Sequence, residues 1–243
     1  MSTGPLPDPD LFFFLSFAET SKAENDLVRD FFGRLRDEVR AQAGLGMNHP
    51  ARTGFLSIVS LGLGYNWSYE LREALGTCGV FVALTAPTYF NSGSCGKEWQ
   101  AFADREAKDR RETGRQTMAP VLLPVRWRES PMPPVADEIQ YVDRSLSDVV
   151  HELGLHAVAK SSALRDDYDA FVARLAGLIV RRARAHRLPS LVPGLAFDKL
   201  PQAFPPDRSS ELNIPPQAGP PPAEPSSPPQ PPKRPSDFPY FSV

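Results

Sequence analysis

Cysteine is almost missing from this chain. Cys78 and Cys95 are the two in 243 residues, too few for a disulfide framework or a thiolate metal site, so no metal and a reducing, cytoplasmic setting are expected. Charge of one sign is lacking as well. With 27 Lys and Arg against 29 Asp and Glu, the net charge is −2, which gives no electrostatic basis for nucleic acid as the main partner. Long hydrophobic runs are absent near the start: Leu11 to Leu15 is far too short to span a bilayer, so no membrane is expected. Met1 to Asp10 is proline-rich and acidic, unlike the basic opening of a signal peptide. Gly62, Gly64 and the other glycines match neither a dinucleotide fingerprint nor a P-loop, so no bound cofactor is expected. Four histidines (His49, His151, His156, His186) show no motif linking them to Cys95, which argues against a thiol hydrolase.

Proline is abundant, and mostly at one end. Of 27 prolines, 17 lie from Leu188 onward, among few apolar residues at any regular period. Such a composition buries too little surface to offset chain entropy. The expected organisation is a flexible N-terminus (1–9), one α/β domain (10–187) and a disordered proline-rich tail (188–243). Within the tail, Pro229 to Arg234 fits a P-x-x-P-x-R polyproline ligand, but in so proline-rich a segment that match is cheap and a plain spacer is the preferred reading. Phe238, Tyr240 and Phe241 suggest docking on a partner or folding back onto the domain.

Periodicity places the elements. Leu11 to Phe17 (L-F-F-F-L-S-F) reads as a strand buried on both faces. Ser21 and Glu24 form a capping box for a helix to about Gln42, striped by Leu27, Val28, Phe31, Phe32, Leu35 and Val39 and ended by Gly44 and Gly46. Phe55 to Val59 reads as a second strand, followed by a loop around Gly62 and Gly64. Trp67, Leu71, Ala74 and Leu75 recur at helical spacing. Val80 to Leu84 is a central strand closed by Pro87. Asn91 to Ser94 supply cap chemistry for a helix from Cys95 to Phe102 and beyond, with Glu98 near its start. Met118 to Trp127 and Ile139 to Val142 add strands, Leu146 to Leu155 a short helix, and Asp166 to Arg187 a long one whose acids and arginines match its dipole. Strands alternating with helices imply crossovers and a parallel sheet wrapped by helices.

Several segments then look familiar in this order. Phe13 to Phe17, Gly64-x-x-Trp67, Val80 to Leu84, Tyr89-x-x-Ser92 with Ser94-Cys95-x-x-Glu98-Trp99, and Pro124-Val125-x-Trp127 together resemble TIR domains, the Toll/interleukin-1 receptor family. The resemblance spans about residues 8–187 and implies a flavodoxin-like three-layer fold with a central parallel sheet. A narrower similarity is to bacterial TIR-like proteins encoded beside peptide-maturing radical enzymes, the FxsC-like group. Residues Phe17 to Thr20 and the long Gly44–Asn66 stretch depart from the family pattern.

In enzymatic TIR domains the glutamate of this segment cleaves NAD⁺ at the nicotinamide–ribose bond. The resemblance therefore implies Glu98 as the catalytic residue, NAD⁺ as substrate, and Ser16, Phe17, Trp67, Tyr89, Ser94 and Cys95 as substrate-binding. An ionised Glu98 is expected, favoured by the dipole of its own helix start. Three of these also have a plain structural reading: Glu98 as a first-turn acid, Ser16 as a strand-end turn residue, and Trp67 as core with a pocket-facing edge. Cys95 could have a lowered pKa at a helix start, and Cys78 reads as a buried small hydrophobe. Two functions stay open. One is a signalling or effector module that binds and hydrolyses NAD⁺; the other is a non-catalytic scaffold acting through TIR self-association, with the tail recruiting a partner.

Overall fold

Leu11–Ser16 (β1) is buried at all six positions. A strand apolar on both faces needs cover on both, which crossover helices provide. The computed structural model shows this arrangement, describing residues 8–46, 49, 52–57, 66–114, 119–131, 133, 143–191 and 197–204. Among the described residues, Arg52–Leu56 (β2), Cys78–Thr85 (β3) and Leu122–Arg126 (β4) join β1 in a four-stranded sheet of order β2-β1-β3-β4. Every pairing is parallel. This is the order of a flavodoxin-like sheet, so the expected α/β class is the observed one.

The helices are Lys22–Gln42 (α1), Asn66–Thr77 (α2), Pro87–Phe90 (α3), Gly93–Thr113 (α4), Asp143–Leu146 (α5), Asp148–Leu153 (α6), Leu155–Lys160 (α7) and Arg165–Ala185 (α8). Neighbouring phenylalanines of β1 serve opposite layers, as the strand period of two requires. Phe13 meets Phe32 of α1 at 5.7 Å. On that side Phe31 packs on Trp127 and on Tyr168 of α8. Phe14 stacks instead between its register partners Phe55 and Phe81, at 5.4 and 5.5 Å. Phe81 in turn meets Phe102 of α4 at 5.3 Å. Among the described residues no helix is long and apolar enough to cross a membrane.

Local chemistry follows the sequence with some differences. Ser21 caps α1 by accepting from the Glu24 N–H at 3.3 Å. The Glu24 carboxylate accepts from Trp127 Nε1 (2.8 Å) and Arg128 Nε (2.9 Å), tying α1 to the end of β4. The Arg128 hydrogen bond is the main cause of a Glu24 pKa lowered to about 2. Pro87 opens α3 just beyond β3, and Gly44 follows α1 at φ 68°. Strand β2 starts three residues earlier than Phe55 and has the mixed burial of an edge strand. Ile139 to Val142, Gly62 and Gly64 lie outside the described residues.

The short helix expected over Leu146 to Leu155 is observed as α6, begun by Ser147 in extended conformation and closed at Gly154, whose φ of 78° and ψ of 145° suit glycine alone. A Cβ there would also approach the Trp127 carbonyl oxygen to 2.9 Å. Gly154→Ala is therefore expected to cost about 2 kcal/mol in urea unfolding. A cost below a few tenths would show that this corner bends freely.

Order at both ends extends past the expected domain limits. Asp8 Oδ1 accepts from Arg184 Nε at 2.7 Å. After α8, Arg105 Nε donates to the Pro189 carbonyl (3.2 Å) and the Leu191 N–H to the Gly76 carbonyl (3.3 Å). Phe197–Lys199 then form a 3-10 turn, and Ala203 and Phe204 are buried. The sequence reading puts these residues in the tail. Their apolar members Phe197, Leu200, Ala203 and Phe204 recur three or four apart, a signal hidden by Pro193, Pro201, Pro205 and Pro206. Residues 205–243, with the polyproline pattern and the terminal aromatics, lie outside the described residues.

Candidate functional site

The tripeptide Phe-Leu-Ser occurs twice, as Phe14-Leu15-Ser16 and Phe55-Leu56-Ser57. The two copies pair in register, Phe14 with Phe55 and Leu15 with Leu56. The Ser57 N–H continues the ladder to the Leu15 carbonyl at 2.9 Å. Two serines thus stand together at the carboxyl edge of neighbouring parallel strands. Ser57 was not among the residues expected at the site, yet the repeated tripeptide marks it.

Helix α4 brings the acid to them. Ser92 caps it by accepting from the Cys95 N–H at 3.3 Å. Glu98 lies in the second turn, turned inward and 1% exposed. Its Oε2 accepts from the Ser16 hydroxyl at 2.5 Å, and its Oε1 from the Ser57 hydroxyl. The Tyr89 hydroxyl donates to Ser16 Oγ at 3.1 Å. Tyr89 is fully buried on α3, so a relay of hydroxyls runs from α3 through β1 to the acid.

Burial decides the electrostatics. Loss of water raises the Glu98 pKa to about 7, although both serine hydrogen bonds pull it down. This corrects the expectation of an acid kept ionised by its helix start: the second turn is too deep for the dipole to outweigh desolvation. Burial, then Glu98, likewise pushes the Cys95 thiol far up, so Cys95 is not an activated thiolate. The Tyr89 phenol is pushed up chiefly by burial. Cys78 is fully buried, with its thiol raised to about 11 by desolvation.

Of the residues expected at the site, the structure joins Ser16, Tyr89 and Glu98 by hydrogen bonds, with Cys95 buried one turn before the acid. Phe17 is buried directly after Ser16. Ser94 is half-buried in the first turn of α4, with no hydrogen bond to the carboxylate among those of Glu98. Trp67 belongs to α2, but its side chain lies outside the described ones. A cleft of about 100 Å³ occurs at the opposite, amino-terminal edge of the sheet, lined by Asp10, Cys78, Arg105 and Arg187 among others. It does not contain the acid.

What this arrangement can do is limited and specific. A buried carboxyl group with two neutral hydroxyl partners, titrating near neutrality, can trade those partners for two hydroxyls of a ligand and can face developing positive charge. It lies over the carboxyl ends of β1 and β2, and β1 borders the β1–β3 boundary where the strand order reverses and near which α/β folds bind ligands.

Compared with known families, residues 13–153 match the TIR domain. That segment runs from β1 into the end of α6 and contains Ser16, Ser57, Tyr89 and Glu98. Among curated proteins there is no match. The family match covers more than half of the 243 residues and agrees with the parallel sheet and its order, and on these grounds the chain belongs to the TIR-domain family.

Proposed function

We propose that this TIR domain is a signalling or effector module that binds NAD⁺ at Glu98 and cleaves its nicotinamide–ribose bond. The observation carrying this reading is the carboxyl group itself. It is buried at the carboxyl edge of β1 and β2, next to the reversal point of the sheet, and among the described residues its oxygens are held by neutral hydroxyls rather than by a cation. Strongly perturbed acids in such positions concentrate at functional sites.

The two hydroxyl hydrogen bonds suit replacement by the adjacent hydroxyls of a ribose. The carboxylate would then lie against the sugar as the glycosidic bond breaks, stabilising the oxocarbenium-like centre. The bonding electron pair leaves with nicotinamide, which departs neutral. Water supplies the new hydroxyl at the sugar carbon, and one proton is released.

Concentrated protein, free and clustered on beads, is incubated with NAD⁺ and nicotinamide release is followed. Because the ionised acid does the work, release is expected to rise with pH through about 7, the Glu98 value. Glu98→Ala should reduce it by about a hundredfold or more. Release that survives this substitution sinks the role of Glu98.

A second reading is a non-catalytic scaffold that self-associates, with the proline-rich tail recruiting a partner. Tyr69 on α2, 60% exposed, favours it by offering a large apolar side chain to another copy. Under that reading light scattering shows concentration-dependent association, while clustered protein releases no nicotinamide.

A further inference from the structure

The segment Leu200–Phe204 lies across the helices that carry the Glu98 site. The Phe204 ring packs on Tyr89, Phe90 and Trp99, with centroids 6.0, 5.0 and 5.3 Å away. The Ala203 N–H donates to the Gly96 carbonyl at 3.2 Å. Helix α4 carries glycines where the segment crosses it. A Cβ on Gly93 would come within 2.6 Å of Gln202 Nε2, and one on Gly96 would lie 3.4 Å from the Ala203 nitrogen. Glycine weakens a helix interior, so two in the first turns of α4 mark a surface kept open for close approach.

What the segment covers is the wall of the site. Trp99 adjoins Glu98 in sequence, and Tyr89 reaches the acid through Ser16. Tyr89, Cys95, Trp99 and Glu98 are each no more than 2% exposed. The NAD⁺ molecule of the reading above could not meet such an acid until part of that wall moves.

We propose that Leu200–Phe204 is a removable strap that closes the Glu98 site. Its hold is local: among the described residues it consists of the Phe204 ring, the buried Ala203 with its backbone hydrogen bond, the half-buried Leu200, and close contact with two glycines. Pro201, inside the strap, has no N–H to offer. A short segment docked on the outside of two helices, with no strand pairing, opens before the core does. The proline-rich stretch follows at Pro205, one residue beyond the buried ring, so tension on the tail would act directly on Phe204. The identity of what enters rests on the NAD⁺ reading; the closing of the wall does not.

The two cysteines test the strap without reference to any reaction. Cys95 is buried and precedes Gly96, whose carbonyl the strap bonds, whereas Cys78 is buried at the start of β3, at the far edge of the sheet. Full-length Phe204→Ala and Ala203→Pro are treated with N-ethylmaleimide, and each thiol is followed by peptide mass spectrometry. Cys95 alkylation is expected to speed up by roughly tenfold or more with Cys78 unchanged, the mark of local opening. A synthetic peptide of residues 197–206 should slow it again. Unchanged Cys95, or both thiols accelerating together, overturns the strap. Nicotinamide release by the same variants separates the two ideas. Faster Cys95 labelling with no release leaves the strap standing and removes NAD⁺ cleavage.

Discussion

Glu98→Gln should abolish nicotinamide release while making the protein more stable above neutral pH. The sign follows from burial. The folded state raises the acid from its ordinary 4.5 to about 7, so it holds the proton more tightly than the unfolded chain does. Below pH 4.5 both states are protonated and the carboxyl group carries no penalty. Between 4.5 and 7 the unfolded state ionises first, and stability falls as pH rises. Above 7 the folded protein bears the whole cost of a buried charge, about 3 kcal/mol for this displacement. Glutamine has the same shape and no charge, and its amide can exchange hydrogen bonds with Ser16 and Ser57, since hydroxyls both donate and accept. Urea unfolding should therefore show wild type and Glu98→Gln alike near pH 4. At pH 8 the variant should be ahead by up to about 3 kcal/mol. Greater stability of the wild type at pH 8 would mean that the carboxylate is compensated by something other than two hydroxyls. Gain of stability with loss of activity is the signature of a group retained for chemistry.

Arg105→Ala should be the most destabilising of these changes. Arg105 is 1% exposed, and its guanidinium is a knot between three parts of the chain. Nη1 donates to the carbonyls of Leu75 (2.7 Å) and Cys78 (2.8 Å), and Nε to that of Pro189 (3.2 Å). It also lies over the Phe102 ring at 5.5 Å. Truncation removes a charged donor from three carbonyls, of which that of Leu75 keeps only the weak Cys78 thiol at 3.7 Å, and leaves a void where α2 ends, β3 begins and the chain departs from α8. The expected loss is about 3–5 kcal/mol, read from urea unfolding. Arg105→Met fills the space without the donors and should recover only part of it. A loss under about 1 kcal/mol for the alanine variant would show that water replaces the guanidinium easily.

Much of the scaffold was legible because burial on two faces leaves a plain mark. Leu11 to Phe17 and Val80 to Leu84 are continuous apolar runs, and only the inner strands of a helix-covered parallel sheet require that. The β2 edge was harder to place, since Arg52 to Leu56 is half-exposed and its pattern is diluted. The short helix expected over Leu146 to Leu155 is present as Asp148–Leu153, but its sharp end at Gly154 was not legible because a periodic stripe does not report a backbone corner. Packing after α8 was masked by proline content, although Phe197, Leu200, Ala203 and Phe204 keep a regular spacing. Composition averages over a window, and four well-placed apolar residues are enough to dock a short segment.

By itself the sequence determined the parallel α/β sheet, its long helices and an acid at position 98, because hydrophobic period and cap chemistry are local properties of the chain. Only the tertiary structure decided that Ser16 and Ser57, 41 positions apart, share that acid, that it titrates near neutrality, and that residues around Phe204 cover it. Hydrogen bonding across strands and removal of water depend on what the fold brings together, and no local pattern carries that information.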